Sequence, residues 1–61
     1  MQYKLLSANT AYTPLIDQEL ERQVNEFLQS GWDPIGGVAT YTYVDATGQL
    51  NLVIYQAVIQ R

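Results

Sequence analysis

The sequence predicts a single α+β domain over residues 1–61, in which one strand, one helix and a two-stranded hairpin follow one another. Three observations carry this reading. Apolar residues recur at three-and-four spacing between residues 16 and 28, as an amphipathic helix requires. Two runs dense in β-branched, aromatic and apolar residues, Val38–Val44 and Leu50–Ile59, flank a turn sequence. Between helix and hairpin, Gly31-Trp32-Asp33-Pro34-Ile35-Gly36-Gly37 has the chemistry to end a helix, turn the backbone and open a strand.

Residues 2–7 read as the first strand, with Tyr3 and Leu5 on one face and Lys4 and Leu6 on the other. The small and polar residues Ser7 to Tyr12 form a connection. Thr13-Pro14 then supplies an N-cap hydroxyl and a proline at the first helical position. Ile16, Leu20, Val24, Phe27 and Leu28 form the buried stripe, while Asp17, Glu19 and Glu21 sit near the helix start, where the dipole favours negative charge. Glu19, Arg22 and Glu26 are spaced to pair on the wet face. Gly31 is placed to take the left-handed conformation that closes a helix. Asp45-Ala46-Thr47-Gly48 is a type I turn with a left-handed glycine, joining the last two strands into a hairpin.

If the second strand runs parallel to the first, the third is antiparallel to both and lies between them. The resulting order, 1-3-2, is half of a ferredoxin-like fold, with the helix packed on one face. The apolar character of Leu50–Ile59 supports a central position; the other order considered places strand one beside strand two. One helix covers one face only. Strand three offers Leu50, Leu52, Ile54 and Val58 on one side and Val53, Tyr55, Ala57 and Ile59 on the other, with Tyr41 and Tyr43 joining one of them. An uncovered face of this kind marks an interface. Hiding ~500 Å² of apolar surface per subunit at ~25 cal/mol per Å² contributes on the order of 12 kcal/mol before association costs. The expectation is a homo-oligomer, a dimer or higher, with Tyr41, Tyr43, Val53, Tyr55, Ala57 and Ile59 as interface residues.

Composition narrows the chemistry. There is no cysteine and no histidine, which removes disulfides, thiolate and imidazole metal sites, and Ser-His or Cys-His nucleophile pairs. Lys4, Arg22 and Arg61 are scattered in a chain of net charge -3, so a phosphate backbone meets repulsion and no nucleic-acid partner is expected. The N-terminal segment lacks a signal peptide's basic start and long apolar region, and no apolar run reaches membrane-spanning length. The reading is a cytoplasmic protein without a membrane partner. Asp33, Asp45 and Glu26 are too isolated in sequence to form an acid/base pair or a calcium loop. No enzyme, metal or cofactor is expected.

Two glycines can cradle a phosphate, but phosphate loops place them before a helix, whereas Gly36 and Gly37 precede a strand. Trp32 reads as a seal on the core, with ligand stacking as the alternative. The three hairpin tyrosines suit interface packing better than base stacking, because the chain is acidic. The function expected is a small non-enzymatic oligomeric module that binds protein. The alternative is a small-molecule, nucleotide-type binding or sequestering protein, its pocket between subunits lined by Trp32, Gly36, Gly37 and Tyr43.

Four segments together resemble a known family. They are Tyr3-Lys4-Leu5-Leu6; the helix with Glu21, Val24, Asn25 and Leu28; Ser30-Gly31-Trp32 with Pro34-Ile35-Gly36-Gly37-Val38; and Tyr55-Gln56-Ala57-Val58. This pattern is similar to the short bacterial and phage proteins grouped as Domain of Unknown Function 1737. The resemblance implies the β-α-β-β order and an origin in a bacterium or its phage, and it implies no catalytic residue; the interaction module expected above is then a bacterial or phage accessory protein. The chain departs from the pattern in the longer segment Ala8–Pro14 and in the polar hairpin around Asp45.

Overall fold

A computed structural model describes residues 1–61. Its elements are β1 (Gln2–Asn9), α1 (Ile16–Gln29), β2 (Asp33–Val44) and β3 (Leu50–Gln60). The sheet order is β1-β3-β2, and β3 is antiparallel to both neighbours. The predicted α+β fold and strand order are those observed.

β1 runs two residues further than the sequence suggested, ending where Asn9 starts a turn. The Asn9 Oδ1 accepts the Ala11 N–H at 2.8 Å, and its carbonyl accepts those of Tyr12 and Thr13 at 3.0 and 3.2 Å. This turn displaces the predicted helix start. Thr13 is not the N-cap; its hydroxyl accepts the Leu15 N–H at 3.3 Å, and Leu15 occupies the cap position, with its carbonyl taking the Glu19 N–H at 3.0 Å. The helix end is as expected. Gly31 adopts φ +86°, Gly31 N–H bonds the Leu28 carbonyl at 3.2 Å, and Trp32 N–H bonds the Phe27 carbonyl at 3.0 Å. This Schellman closure brings the Trp32 ring edge-on to Phe27, with centroids 5.3 Å apart.

α1 packs over β1 and β3. Leu6, Ala8, Ile16, Leu20 and Val58 are buried in one cluster, with Val24, Phe27, Trp32 and Ile54 packed against it. Leu28, assigned to the stripe from its spacing, is exposed. The fourteen residues of α1 extend roughly 21 Å at ~1.5 Å each, whereas the twelve of β2 extend about 40 Å at ~3.3 Å each. The hairpin therefore overhangs the helix. The radius of gyration is 12.8 Å, against roughly 10.5 Å for a compact domain of this length, and the long axis is 41 Å. Val44, Leu50 and Leu52 on the overhang all stay exposed, on the side of the sheet where the helix lies.

β2 begins at Asp33, five residues before the predicted start at Val38, and the two glycines lie inside it. Ile35 pairs with Ala57 and Ala39 with Tyr55, so Gly36, Gly37 and Val38 together oppose the single residue Gln56. Gly36 takes φ +72° in this bulge. Pro34 is tolerated because β2 is an edge strand.

Candidate functional site: the uncovered sheet face

Alternation along the strands assigns every residue to a side. Leu6 opposes Gln56 and Ala8 opposes Ile54 on the helix side; on the other, Tyr3 opposes Ile59, Leu5 opposes Ala57, and Tyr41 opposes Val53. This second side has no helix over it. Its centre is a shallow depression of about 590 Å³ walled by Tyr3, Leu5, Tyr41 and Tyr55, with Gly37, Ala39 and Ala57 as a floor of small residues. The Tyr41 ring lies 5.7 Å from Tyr55 and 6.2 Å from Tyr43, both tilted. Tyr3 is 67% exposed, Leu5 52%, Ile35 47% and Tyr41 47%, enough to leave a contiguous apolar surface in water.

The six predicted interface residues, Tyr41, Tyr43, Val53, Tyr55, Ala57 and Ile59, all lie on this side, but they do not contribute alike. Val53 and Ile59 are buried within the single chain, because a central strand is flanked on both sides, Val53 by Asn9 and Tyr41 and Ile59 by Tyr3 and Asp33. The surface is instead offered by edge-strand residues, including Tyr3, Leu5 and Ile35. Their alternation showed in the sequence; their share of the exposed area did not.

At the hairpin end this face turns polar. The Tyr43 hydroxyl and the Asn9 amide are hydrogen-bonded, with 2.9 Å between Asn9 Nδ2 and the phenol oxygen. Buried Asn51 accepts from the Thr10 hydroxyl at 3.2 Å and donates to Asp45 Oδ2 at 2.8 Å. Asp45 Oδ1 accepts the Thr47 hydroxyl at 2.6 Å, the Thr47 N–H at 2.9 Å and the Gln49 N–H at 3.0 Å. These donors, Thr47 first, hold the Asp45 carboxyl at about 2, below its ordinary value. Gly48 closes the turn at φ +85°, as its position predicted.

Gln56 is the polar residue that sequence reasoning did not single out. Buried on the helix side, its Nε2 donates to the carbonyls of Ile35 at 3.0 Å, Gly36 at 3.2 Å and Ala57 at 3.0 Å. A bulge interrupts the ladder and leaves carbonyls without strand partners; this amide supplies them. The signal available was an amide in a strand otherwise apolar around it. Gly36-Gly37 and Gln56 are thus two halves of one structural device.

The four residues predicted to line a ligand pocket are not brought together. Trp32 packs beside Phe27 on the helix side, Gly36 and Gly37 form the bulge, and Tyr43 lies on the opposite face near the hairpin turn. The cations are dispersed as well. Lys4 places its Nζ 5.1 Å from the Phe27 ring centre, and Arg22 bridges Glu19 and Glu26. Those bonds, chiefly the one from Glu19, push the Arg22 guanidinium up, and the Arg22 and Gln23 donors hold Glu19 down. Lys4 and Arg22 both belong to the helix side, so neither faces the tyrosines. No group of three or more carboxylate, histidine or cysteine side chains is placed to hold a metal ion, and no helix is long and apolar enough to cross a membrane.

The family model described as a domain of unknown function, DUF1737, matches residues 2–61. The match spans every element of the fold, including both halves of the bulge device. No curated protein and no solved structure matches the chain.

Proposed function

We propose that this chain, which belongs to the DUF1737 family, is a small non-enzymatic interaction module that assembles with copies of itself through the uncovered sheet face. The observation that carries this reading is the apolar depression walled by Tyr3, Leu5, Tyr41 and Tyr55 on the side without a helix. Only 9 of 61 residues are buried in the single chain, a small core for independent stability, and a second apolar face packed on this one enlarges it. Tyrosine-rich, uncharged surface is the composition of an interface centre. In this reading the protein is a bacterial or phage accessory protein of the cytoplasm, acting by binding protein, with the sheet face used for self-association.

The test is the mass in solution by light scattering behind a sizing column. The native chain is expected at a multiple of 6.9 kDa, and Leu5→Glu and Tyr41→Glu, both at exposed positions, at a lower multiple than the native chain, with native circular dichroism. A native chain at 6.9 kDa at all concentrations overturns the assembly.

A second reading, a small-molecule binder, is favoured by a groove of about 390 Å³ between α1 and β2. Leu20, Val24 and Ile54 give it apolar walls, and Asp17 and Glu21 an acidic rim. That rim selects for an uncharged or cationic ligand over a nucleotide. A thermal shift with cationic amphiphiles and none across a nucleotide panel supports this version; no shift with either removes it.

A further inference from the structure

We infer that β2 pairs edge to edge with β2 of a second copy, antiparallel about Tyr41, to make one continuous six-stranded sheet of order 1-3-2-2-3-1. This contact is distinct from the sheet-face association and does not rest on it.

The two edges of the sheet are unequal. Thr10 N–H bonds the Leu52 carbonyl and Asp45 N–H bonds the Gln49 carbonyl, each at 3.0 Å. Ladder bonds alternate, so even residues of β1 and odd residues of β2 face β3, leaving the odd groups of β1 and the even groups of β2 pointing outward. On β1 the outward carbonyls of Ser7 and Asn9 are guarded, and those of Tyr3 and Leu5 are open. Gln23 Nε2 donates to the Ser7 carbonyl at 2.8 Å, and the Asn9 carbonyl is consumed by its turn. On β2 the outward groups of Val38, Thr40, Thr42 and Val44 meet no capping side chain. Pro34, whose missing N–H faces outward, and the glycine bulge confine pairing to the stretch that follows.

That stretch is built for itself. Val38–Val44 carries no charge, no proline and no glycine, and it is β-branched or aromatic at six of seven positions. Not one of the twelve residues of β2 is buried on either face. Centring the two-fold on Tyr41 pairs all seven residues: Thr40 opposes Thr42 of the partner subunit, Val38 opposes Val44 of the partner subunit, and Asp45 falls opposite Gly37 of the partner subunit, so no like charges meet. Sliding by two residues unpairs two of the seven.

The chain has no cysteine, so introduced thiols report the register without background. Thr40→Cys mixed with Thr42→Cys brings Cα atoms to about 5.5 Å across the pair, within disulfide reach, whereas either variant alone separates them by roughly 8 Å, beyond it. The mixed disulfide is expected to form on the order of tenfold faster than either homodisulfide. The double variant Thr40→Lys/Thr42→Lys sets like charges opposite one another at exposed positions and is expected to lower the solution mass while keeping native circular dichroism. Equal rates for mixed and single variants, or an unchanged mass for the double lysine variant, overturn the proposal. If Leu5→Glu dissociates the protein and the two cysteine variants form no mixed disulfide, the sheet-face association stands and the edge pairing falls. A mixed disulfide in a protein whose mass Leu5→Glu leaves unchanged establishes the edge pairing and removes the sheet-face association.

Discussion

Replacing Gln56 by alanine tests whether the glycine bulge depends on its amide. The substitution removes donors to the Ile35 and Gly36 carbonyls at 3.0 and 3.2 Å and empties a site where Gln56 is 7% exposed. Each lost hydrogen bond costs about 1 kcal/mol net, with more for a carbonyl left both dry and unpaired. Ile35 and Gly36 are exposed, so water reaches part of the bulge, and the low end applies: about 2 kcal/mol for the pair. A domain of this length unfolds with an entropy of roughly 0.13 kcal/mol/K at ~2.1 cal/mol/K per residue, so Tm falls by about 15 °C. The assay is thermal unfolding by circular dichroism at one protein concentration, since association alters Tm. Gln56→Glu sharpens the result. At neutral pH it aims carboxylate lone pairs at two carbonyls and should melt below the alanine variant; on acidification the protonated acid donates again and part of the loss is recovered. An alanine variant melting within about 3 °C of the native chain would mean that the bulge holds its shape without the amide.

Gly31→Ala loses about 1 kcal/mol in denaturant unfolding, because φ +86° is strained for a side chain although nothing lies within 4 Å of the added carbon. Trp32→Ala opens the end of the core beside Phe27; Trp32 is partly buried, and about 3 kcal/mol is expected, read as a lower denaturant midpoint with unchanged slope. The Asp45 carboxyl, held at about 2 in the folded chain, contributes stability that is fully present above its ordinary value near 4 and is lost as pH falls toward 2. Tm of the native chain should therefore decline across that window more steeply than Tm of Asp45→Asn, and parallel curves would exclude the network as its cause.

Much of the fold is legible because its signals are local. Gly31, with Trp32 following, ends a helix through hydrogen bonds within six residues; the Asp45–Gly48 turn sets a hairpin within four; and a three-and-four stripe can bury itself only as a helix. The strand order needs one signal more, since a hairpin leaving a parallel crossover can place its last strand in the middle or outside, and the near-continuous apolar run Leu50–Ile59 favours the middle. The helix start escaped because the Asn9 carbonyl claims the Tyr12 and Thr13 N–H groups, a competition that composition does not show.

The candidate site divides the same way. Alternation alone put Tyr41, Tyr43 and Tyr55 on one side, because the pleat has period two. Which side the helix takes, how far the hairpin outruns it, and that Val53 and Ile59 are shielded while Tyr3 and Leu5 are bare depend on the relative lengths and placement of packed elements. The partnership of Gln56 with the Gly36-Gly37 bulge joins residues twenty positions apart. No local signal encodes that distance; only the ladder's demand for a donor at an interrupted register makes the two into one device.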